Sequence, residues 1–329
     1  MIFVNKLHLA LGGVAAALLP AFVAAQTDAV KNYPQRPIRF VAPFTPGAGT
    51  DTTARTLAQK LSDAWGQRVV VDNRTGAAGA IGVEITAHAL PDGYTICLIS
   101  ASHSVNSATN AKLPYDLAKD LQGITQATSL FYTVYHHPSV PVKTVKELIA
   151  FARARPGALN YASTSLGAGN HVAAELFNSM AGVKIVRINY KAMSAGFTDV
   201  VSGQMQEFFP SANSATPYVK SGRLRALAVT SAEPSALVPD LPTVAAAGLP
   251  GYESVAMTAM FAPAKTPDAI VRRLNAEINV ALKKPEVRER FLRLGLLPVS
   301  STPSELDALL RREIVLWSKV VKEGNIKPE

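Results

Sequence analysis

From residue 33 onward, short apolar strands alternate with amphipathic helices, and this alternation most limits the folds open to the chain. Ile38–Val41 reads as a strand, and Thr52–Ala64 follows as a helix with its apolar residues on one face. Arg68–Val71 and Thr95–Ile99 are the next predicted strands. Alternation of this kind predicts an α/β class with mainly parallel sheets covered by helices.

The same alternation starts again in the second half of the chain, and the final third is helical. The predicted elements are strand Leu159–Ala162, helix 172–180, strand Ile185–Asn189, helix 195–201, and strands Met205–Phe209 and Ala226–Thr230. Thr302 and Glu305 form a capping box that opens the last long helix. Two such series within 329 residues predict two lobes. Ligands of such sheets bind beyond the carboxyl ends of the strands, so the loops there are the candidate sites.

The first 25 residues differ from the rest. Lys6 is the only formal charge, an apolar run covers Leu9–Val23, and small residues precede a cleavage point near Ala25. This pattern predicts an exported protein with a signal peptide at residues 1–25. A membrane anchor is the alternative, but glycines, a proline and a short apolar core argue against it. No cysteine lies near the cleavage point, so we expect no lipid anchor.

Cysteine content and charge exclude two other classes of protein. Cys97 is the only cysteine and lies in an apolar strand, so it is expected in the core and cannot form an internal disulfide. The formal net charge is +9, which could attract anions or nucleic acid. The basic residues are scattered, without the aromatic-interleaved pattern of nucleic-acid binders. We therefore expect no nucleic-acid partner.

The loop after the first strand is the first candidate site. Glycines there let the backbone approach a ligand, and a helix start offers unpaired N–H groups to an anion. The alternative is an ordinary capped turn, because the loop lacks the third glycine of a dinucleotide motif and the Gly-Lys-Ser/Thr of a phosphate loop. Asp51 is expected to cap the helix or bond the neighbouring loop. The candidate residues are Thr45, Pro46, Gly47, Ala48, Gly49, Thr50 and Asp51.

Other strand-end loops offer hydroxyls, glycines and a second helix start. Two such helix starts on opposed lobes would clamp one carboxylate between them. Arg74 could pair with a carboxylate or with Asp51, or have a structural role. The candidate residues in these loops are Ser100, Ser102, Ser163, Thr164, Ser165, Gly169, Asn170, His171, Lys191, Ala192 and Met193.

Several motifs occur in the order typical of one family. They are Tyr33–Ile38, Pro43–Asp51, Asn73–Gly79, Pro91–Tyr94, Leu113–Asp116, Leu159–Ser163, Leu224–Ser231, Leu241–Val244 and Gly248–Glu253. From residue 33 to the C-terminus the chain resembles the Bug family, the substrate-binding receptors of tripartite tricarboxylate transporters. The resemblance implies a periplasmic, two-lobed Venus-flytrap fold of type II-like topology with crossover strands near Ser129–Tyr135 and Tyr252–Phe261. Lobe 1 would comprise 33–129 and 254–329, and lobe 2 would comprise 130–253.

The resemblance also implies a function and its partners. Backbone amides and hydroxyls of both lobes would bind a small carboxylate, with no cofactor, metal ion or catalytic residue. The loaded receptor, expected as a monomer, would act with transporter membrane subunits; presentation to a sensor kinase is an alternative that the sequence does not decide. An exported hydrolase is a further alternative, but the serines near His171 lack a Gly-x-Ser-x-Gly context.

The chain departs from the family pattern at several positions. Met193 stands where the family has glycine, Phe131 and Tyr132 stand in the first crossover, and Gln206 and Pro210 replace two customary acids. Leu166 also replaces a usual polar residue. Our hypothesis is that Met193 and Phe131 reshape the distal pocket for a bulkier or aromatic carboxylate. The alternative is that both side chains pack in the lobe cores.

Overall fold

The fold is described from a computed structural model of the chain. It describes residues 32–323 apart from 48, 111, 165–167 and 236. The predicted signal peptide and the candidate residues Ala48 and Ser165 lie outside the described residues. No helix in the described part of the chain has both the length and the apolar character that crossing a membrane requires.

Eleven strands of the described chain form two sheets. The first sheet has the order β11-β4-β10-β3-β1-β2, and the second has the order β7-β6-β8-β5-β9. The strands are β1 (Ile38–Ala42), β2 (Val69–Asn73), β3 (Thr95–Ser100), β4 (Leu121–Phe131), β5 (Thr133–His136), β6 (Asn160–Ser163), β7 (Val186–Asn189), β8 (Glu207–Phe208), β9 (Arg225–Val229), β10 (Val255–Pro263) and β11 (Leu297–Pro298).

Helices connect and cover these strands. They are α1 (Gly49–Trp65), α2 (Ala80–Ala87), α3 (Ala101–Thr109), α4 (Leu117–Asp120), α5 (Val145–Ala154), α6 (Gly169–Ala181), α7 (Met193–Ser202), α8 (Ala212–Lys220), α9 (Val244–Ala247), α10 (Asp268–Lys283), α11 (Pro285–Arg293) and α12 (Pro303–Glu323). The predicted capping box opens α12: Glu305 N donates to Thr302 Oγ1 at 3.2 Å, and Thr302 N donates to the Glu305 carboxylate at 2.8 Å.

Both sheets are built on the same plan. In the first, β2 and β3 flank β1 in parallel, and in the second β7 and β8 flank β6 in parallel. Each sheet also contains one antiparallel strand that follows a crossover. In the first sheet β10 pairs with β3 and β4, and in the second β5 pairs with β8 and β9. This topology confirms the predicted α/β fold with two crossover strands, but the sheets are mixed and not mainly parallel, because β4, β5, β9, β10 and β11 pair antiparallel.

The chain passes from the first sheet to the second at Tyr132, between β4 and β5, and returns between β9 and β10. The first passage lies within the range that the family resemblance implies, Ser129–Tyr135, whereas the second spans residues 230–254 and meets the implied range, Tyr252–Phe261, only at its end. The last helix then joins the two halves, because Trp317 and Val320 of α12 and Val105 of α3 pack into the core beneath the second sheet. Cys97 is fully buried in the core of the first sheet, as expected.

Candidate functional site

A cavity of about 670 Å³ opens at the carboxyl ends of β6 and β8, beside the first crossover. Its volume lies within the range of small-molecule sites, roughly 300–1,000 Å³. It is therefore large enough to hold a small organic ligand. The residues that line it are Leu130, Tyr132, Thr164, Gly169, Asn170, Met193, Ser194, Phe197, Thr198, Phe208, Phe209, Pro210, Ser211 and Tyr218.

Three helices begin at this cavity, and none of the three starts is capped by a side chain. The N-cap residues are Ala168 for α6, Ala192 for α7 and Ser211 for α8. Alanine has no oxygen with which to accept from first-turn N–H groups. The first-turn N–H groups that α6 and α7 leave without a side-chain acceptor, together with the positive ends of the helix dipoles, favour an anion in the cavity.

Hydroxyl and amide groups add further donors to the same wall. Asn170 and Tyr132 are both largely buried, and Thr164 and Ser194 also face the cavity. The Tyr132 hydroxyl lies directly beside Gly169, the first residue of α6, so closely that a β-carbon on Gly169 would overlap it. Burial raises the pKa of Tyr132, so the hydroxyl keeps its proton and is able to donate.

Four of the predicted residues that follow the second-sheet strands line the cavity, namely Thr164, Gly169, Asn170 and Met193. Ser163 and His171 are buried instead. Ser163 Oγ donates to the Thr164 carbonyl oxygen at 3.2 Å, and burial lowers the pKa of His171 to about 4, which keeps its ring neutral. Lys191 and Ala192 are exposed and directly precede α7.

The predicted first-lobe loop does not line this cavity. Thr45, Pro46, Gly47 and Gly49 are exposed after β1, and Thr50 is half-buried. The described structure therefore does not bring the two predicted halves of the site together in one cavity.

Asp51 stabilises that loop from within, as the sequence analysis expected. Its side chain is 2% exposed and accepts from Gly47 N at 2.9 Å, Arg55 Nε at 2.9 Å and Asn73 Nδ2 at 2.8 Å. Burial alone would raise the pKa of Asp51, but these bonds lower it below its ordinary value. Arg74 pairs with Asp72 and not with Asp51: its Nε lies 3.0 Å from the Asp72 carboxylate.

Ser100 and Ser102 lie at the start of α3, where side chains of the helix's own first turn cap it. Ser100 N donates to His103 Nδ1 at 3.2 Å, and the hydroxyls of Ser100 and Ser102 lie 2.8 Å apart. Neither serine lines the cavity. This helix start therefore contrasts with the uncapped starts of α6 and α7.

The structure places Met193 and Phe131, the two residues of the pocket hypothesis, in different surroundings. Met193 is half-buried and lines the cavity, and its sulfur lies 4.0 Å from Asn170 Nδ2. Phe131 is 2% exposed and packs in a core cluster with Val229, so for Phe131 the core alternative is correct. Its neighbour Tyr132 reaches the cavity instead.

Sequence reasoning missed the aromatic wall of the cavity. Phe197, Phe208 and Tyr218 all line it, with ring centroids of Phe197 5.4 Å from Phe208 and 4.8 Å from Tyr218. The only signal was Phe197 within the predicted helix 195–201, which also fits an ordinary core residue. Among the described residues, no three His, Cys, Asp or Glu side chains come together as a metal site would require.

Comparisons with known proteins agree with this architecture. Residues 53–326 match the family model described as tripartite tricarboxylate transporter family receptor. Protein BugT of Bordetella pertussis is 35% identical over 316 residues, covering 95% of this chain and 95% of BugT. The R. palustris protein Rpa4515, solved with adipate, is 33% identical with a TM-score of 0.72, covering 90% of this chain and 100% of that protein.

A further solved relative is MatC from Rhodopseudomonas palustris with bound malate. It is 30% identical with a TM-score of 0.69, and the likeness covers 88% of this chain and all of MatC. These matches span nearly the whole described fold and support the two-lobed architecture. The chain belongs to the Bug-type receptor family of tripartite tricarboxylate transporters.

Proposed function

We propose that the cavity bounded by α6, α7 and α8 binds the carboxylate of a small organic acid. The observation that carries the proposal is the convergence of three helix starts without side-chain caps on one cavity. First-turn N–H donors without a side-chain acceptor would find partners in the carboxylate oxygens. Two relatives solved with adipate and malate support an acid as the ligand class.

The first-lobe loops would complete the site when the lobes close. We propose lobe 1 as residues 33–129 and 254–329, lobe 2 as 130–253, and closure about the two crossovers. Thr45–Asp51, with Ser100 and Ser102, would then cover the ligand from the opposite side. Closure would exclude water, which strengthens the charge-assisted hydrogen bonds.

The receptor would deliver its ligand unchanged. We propose a monomer in the periplasm that hands a small carboxylate to the membrane subunits of a tripartite transporter, with no chemical step. Membership of a receptor family supports this role. Recovery of an added acid unaltered after prolonged incubation, followed by proton NMR, would agree with it, and turnover would contradict it.

The test of the site is to cap one helix artificially. In Ala192→Asp the new carboxylate would occupy the first-turn N–H groups of α7 and repel the ligand's charge. We expect adipate or malate affinity, measured by calorimetry on refolded protein, to fall at least about tenfold. Ala192→Ser is the control, because serine caps the helix without adding a charge and should weaken binding less.

Unchanged affinity in Ala192→Asp would place the acid elsewhere. Adipamide, the neutral diamide of adipic acid, tests the charge requirement directly. Equal binding of adipamide and adipate would contradict carboxylate recognition.

A further inference from the structure

The described wall of the cavity carries no side chain of Asp, Glu, Lys, Arg or His. Among the described residues that line it, the ionisable groups are the tyrosine hydroxyls of Tyr132 and Tyr218, which are neutral when protonated. The helix starts of α6 and α7 together carry about one positive charge, and among the described residues no lysine, arginine or histidine lines the wall to meet a second carboxylate.

Lys191, just before α7, is exposed and does not line the cavity, and three arginines near the cavity or at the ends of the first-sheet strands are already engaged. Arg187 Nη2 donates to the Thr164 carbonyl oxygen at 2.6 Å. Arg55 pairs with Asp51 at 2.9 Å, and Arg74 pairs with Asp72 at 3.0 Å. A second buried carboxylate would lose its hydration without gaining an ion-pair partner, which is costly.

The aromatic side chains form one side of the cavity. Phe197 and Tyr218 are half-buried, so part of each ring surface is uncovered, and Phe208 lies against Phe197. The rings meet edge to face, at interplanar angles of 67° and 69°. Such a cluster offers apolar surface and ring edges against which a further ring packs favourably.

Helix α7 sets the distance between the acid-binding end and these rings. Met193, at its first position, and Phe197, four residues later, both line the cavity. One helical turn rises about 5.4 Å. A carboxylate held at the start of α7 therefore has Phe197 roughly one turn away, where a ring attached directly or through one carbon would lie.

We propose that the ligand is a monocarboxylate with an aromatic ring, its acid group at the helix starts and its ring against Phe197 and Tyr218. This inference rests on the proposed function, since it assumes that a carboxylate binds in this cavity. Met193 would bound the ring on the side nearest the acid group. With no cation among the described lining residues, a dicarboxylate would depend on the first-lobe donors alone for its second acid group, and we expect it to bind less tightly.

The experiment compares four probes by calorimetry on protein freed of bound solute by unfolding and refolding. The probes are benzoate, phenylacetate, adipate and benzamide. We expect the better aromatic acid to bind at least about tenfold more tightly than adipate, and benzoate to bind at least about tenfold more tightly than benzamide. Adipate binding as tightly as the better aromatic acid would overturn the inference and leave the proposed function standing.

Benzamide binding as tightly as benzoate would overturn the proposed function itself, and so would failure of all the acids to bind.

Phe197→Ala tests the aromatic wall and should lower the affinity for the aromatic acid by about tenfold, because the ring contact is lost. Tyr218→Phe keeps the ring and should leave the affinity unchanged. Phe151→Ala is the matched control, because Phe151 is a half-buried ring of the same half of the chain, packed under Arg155 and outside the cavity. Equal loss in Phe197→Ala and Phe151→Ala would overturn the inference.

Discussion

The backbone N–H of Tyr132 donates to the hydroxyl of Thr230 at 2.8 Å, which ties the first crossover to the end of β9. The same hydroxyl donates to the carbonyl oxygen of Ser254 in the second crossover at 2.6 Å. Backbone bonds from Thr230 N to Tyr132 O and from Ser254 N to Thr230 O complete the junction, at 2.9 Å and 2.8 Å. One fully buried side chain therefore joins both connections between the sheets.

Thr230→Val should destabilise this junction while keeping the shape of the side chain. The Tyr132 N–H and one lone pair of the Ser254 carbonyl would lose their partner inside the protein. We expect the free energy of unfolding in urea to fall by about 1–3 kcal/mol. Thr230→Ser keeps the hydroxyl and should lose clearly less; a loss as large as that of Thr230→Val would show that the methyl group contributes as much as the hydrogen bonds and would contradict this prediction.

Gly169→Ala should destabilise the protein although alanine is the better helix former. An added β-carbon would overlap the Tyr132 hydroxyl and lie 2.5 Å from its Cζ. Displacing the ring should cost about 1–3 kcal/mol in unfolding free energy. Gly49→Ala at the first position of α1 is the control, since nothing lies within 4 Å of a β-carbon there. In a Tyr132→Ala background the Gly169→Ala penalty should disappear; its persistence would refute the steric explanation.

The element pattern and the core were predictable because they depend on local periodicity. Cys97 lies in the core, and α1 covers the predicted helix 52–64, beginning three residues earlier at Gly49. The predicted strand 205–209 shortens to Glu207–Phe208, because pairing with its neighbours covers only those residues. Ends of elements depend on partners that the sequence alone does not reveal.

The cavity wall was less predictable because distant segments build it. Tyr132 comes from a crossover, Thr164 from a loop, Phe197 from α7 and Tyr218 from α8. Glycine and hydroxyl patterns identified the loops after strands, but an apolar ring on an amphipathic helix fits a core position equally well. The distinction depends on which face of α7 is left uncovered, a tertiary property.

Asp51→Asn should destabilise the first-lobe loop in a pH-dependent way. An amide NH₂ would face one of the donors from Gly47, Arg55 and Asn73, so we expect a loss of about 1–3 kcal/mol at pH 7. The lowered pKa of Asp51 means that ionisation stabilises the fold above the unfolded pKa of about 3.9, and that this stabilisation is lost as pH falls through the folded pKa. The difference between wild type and variant in urea unfolding should therefore shrink toward pH 3. Asp63→Asn, an exposed position on α1, should change little at either pH.

A second carboxyl group, on α12, has the opposite pH dependence. Glu313 is 8% exposed, and its Oε2 has no hydrogen-bond partner of good geometry; Trp317 Nε1, one turn along α12, has none either. Burial raises the pKa of Glu313 to about 7; the nearby Ser104 hydroxyl of α3 opposes the rise, and the charge of Glu253 in the second crossover adds to it. The folded protein thus binds a proton here more tightly than the unfolded chain does.

Glu313→Gln should therefore remove a pH-dependent loss of stability. In the wild type, stability associated with a raised carboxyl pKa is present at low pH and is lost as pH rises from the unfolded pKa near 4.3 toward the folded pKa. The unfolding free energy of Glu313→Gln relative to wild type should increase over this window, by at most about 1.4 kcal/mol per pH unit, and level off above pH 7. Urea titrations from pH 4 to 8 measure this difference, with exposed Glu289→Gln on α11 as the control. A difference that stays flat with pH would mean that Glu313 ionises in the folded protein as readily as in the unfolded chain, because solvent or a neighbouring donor reaches it between α3 and α12.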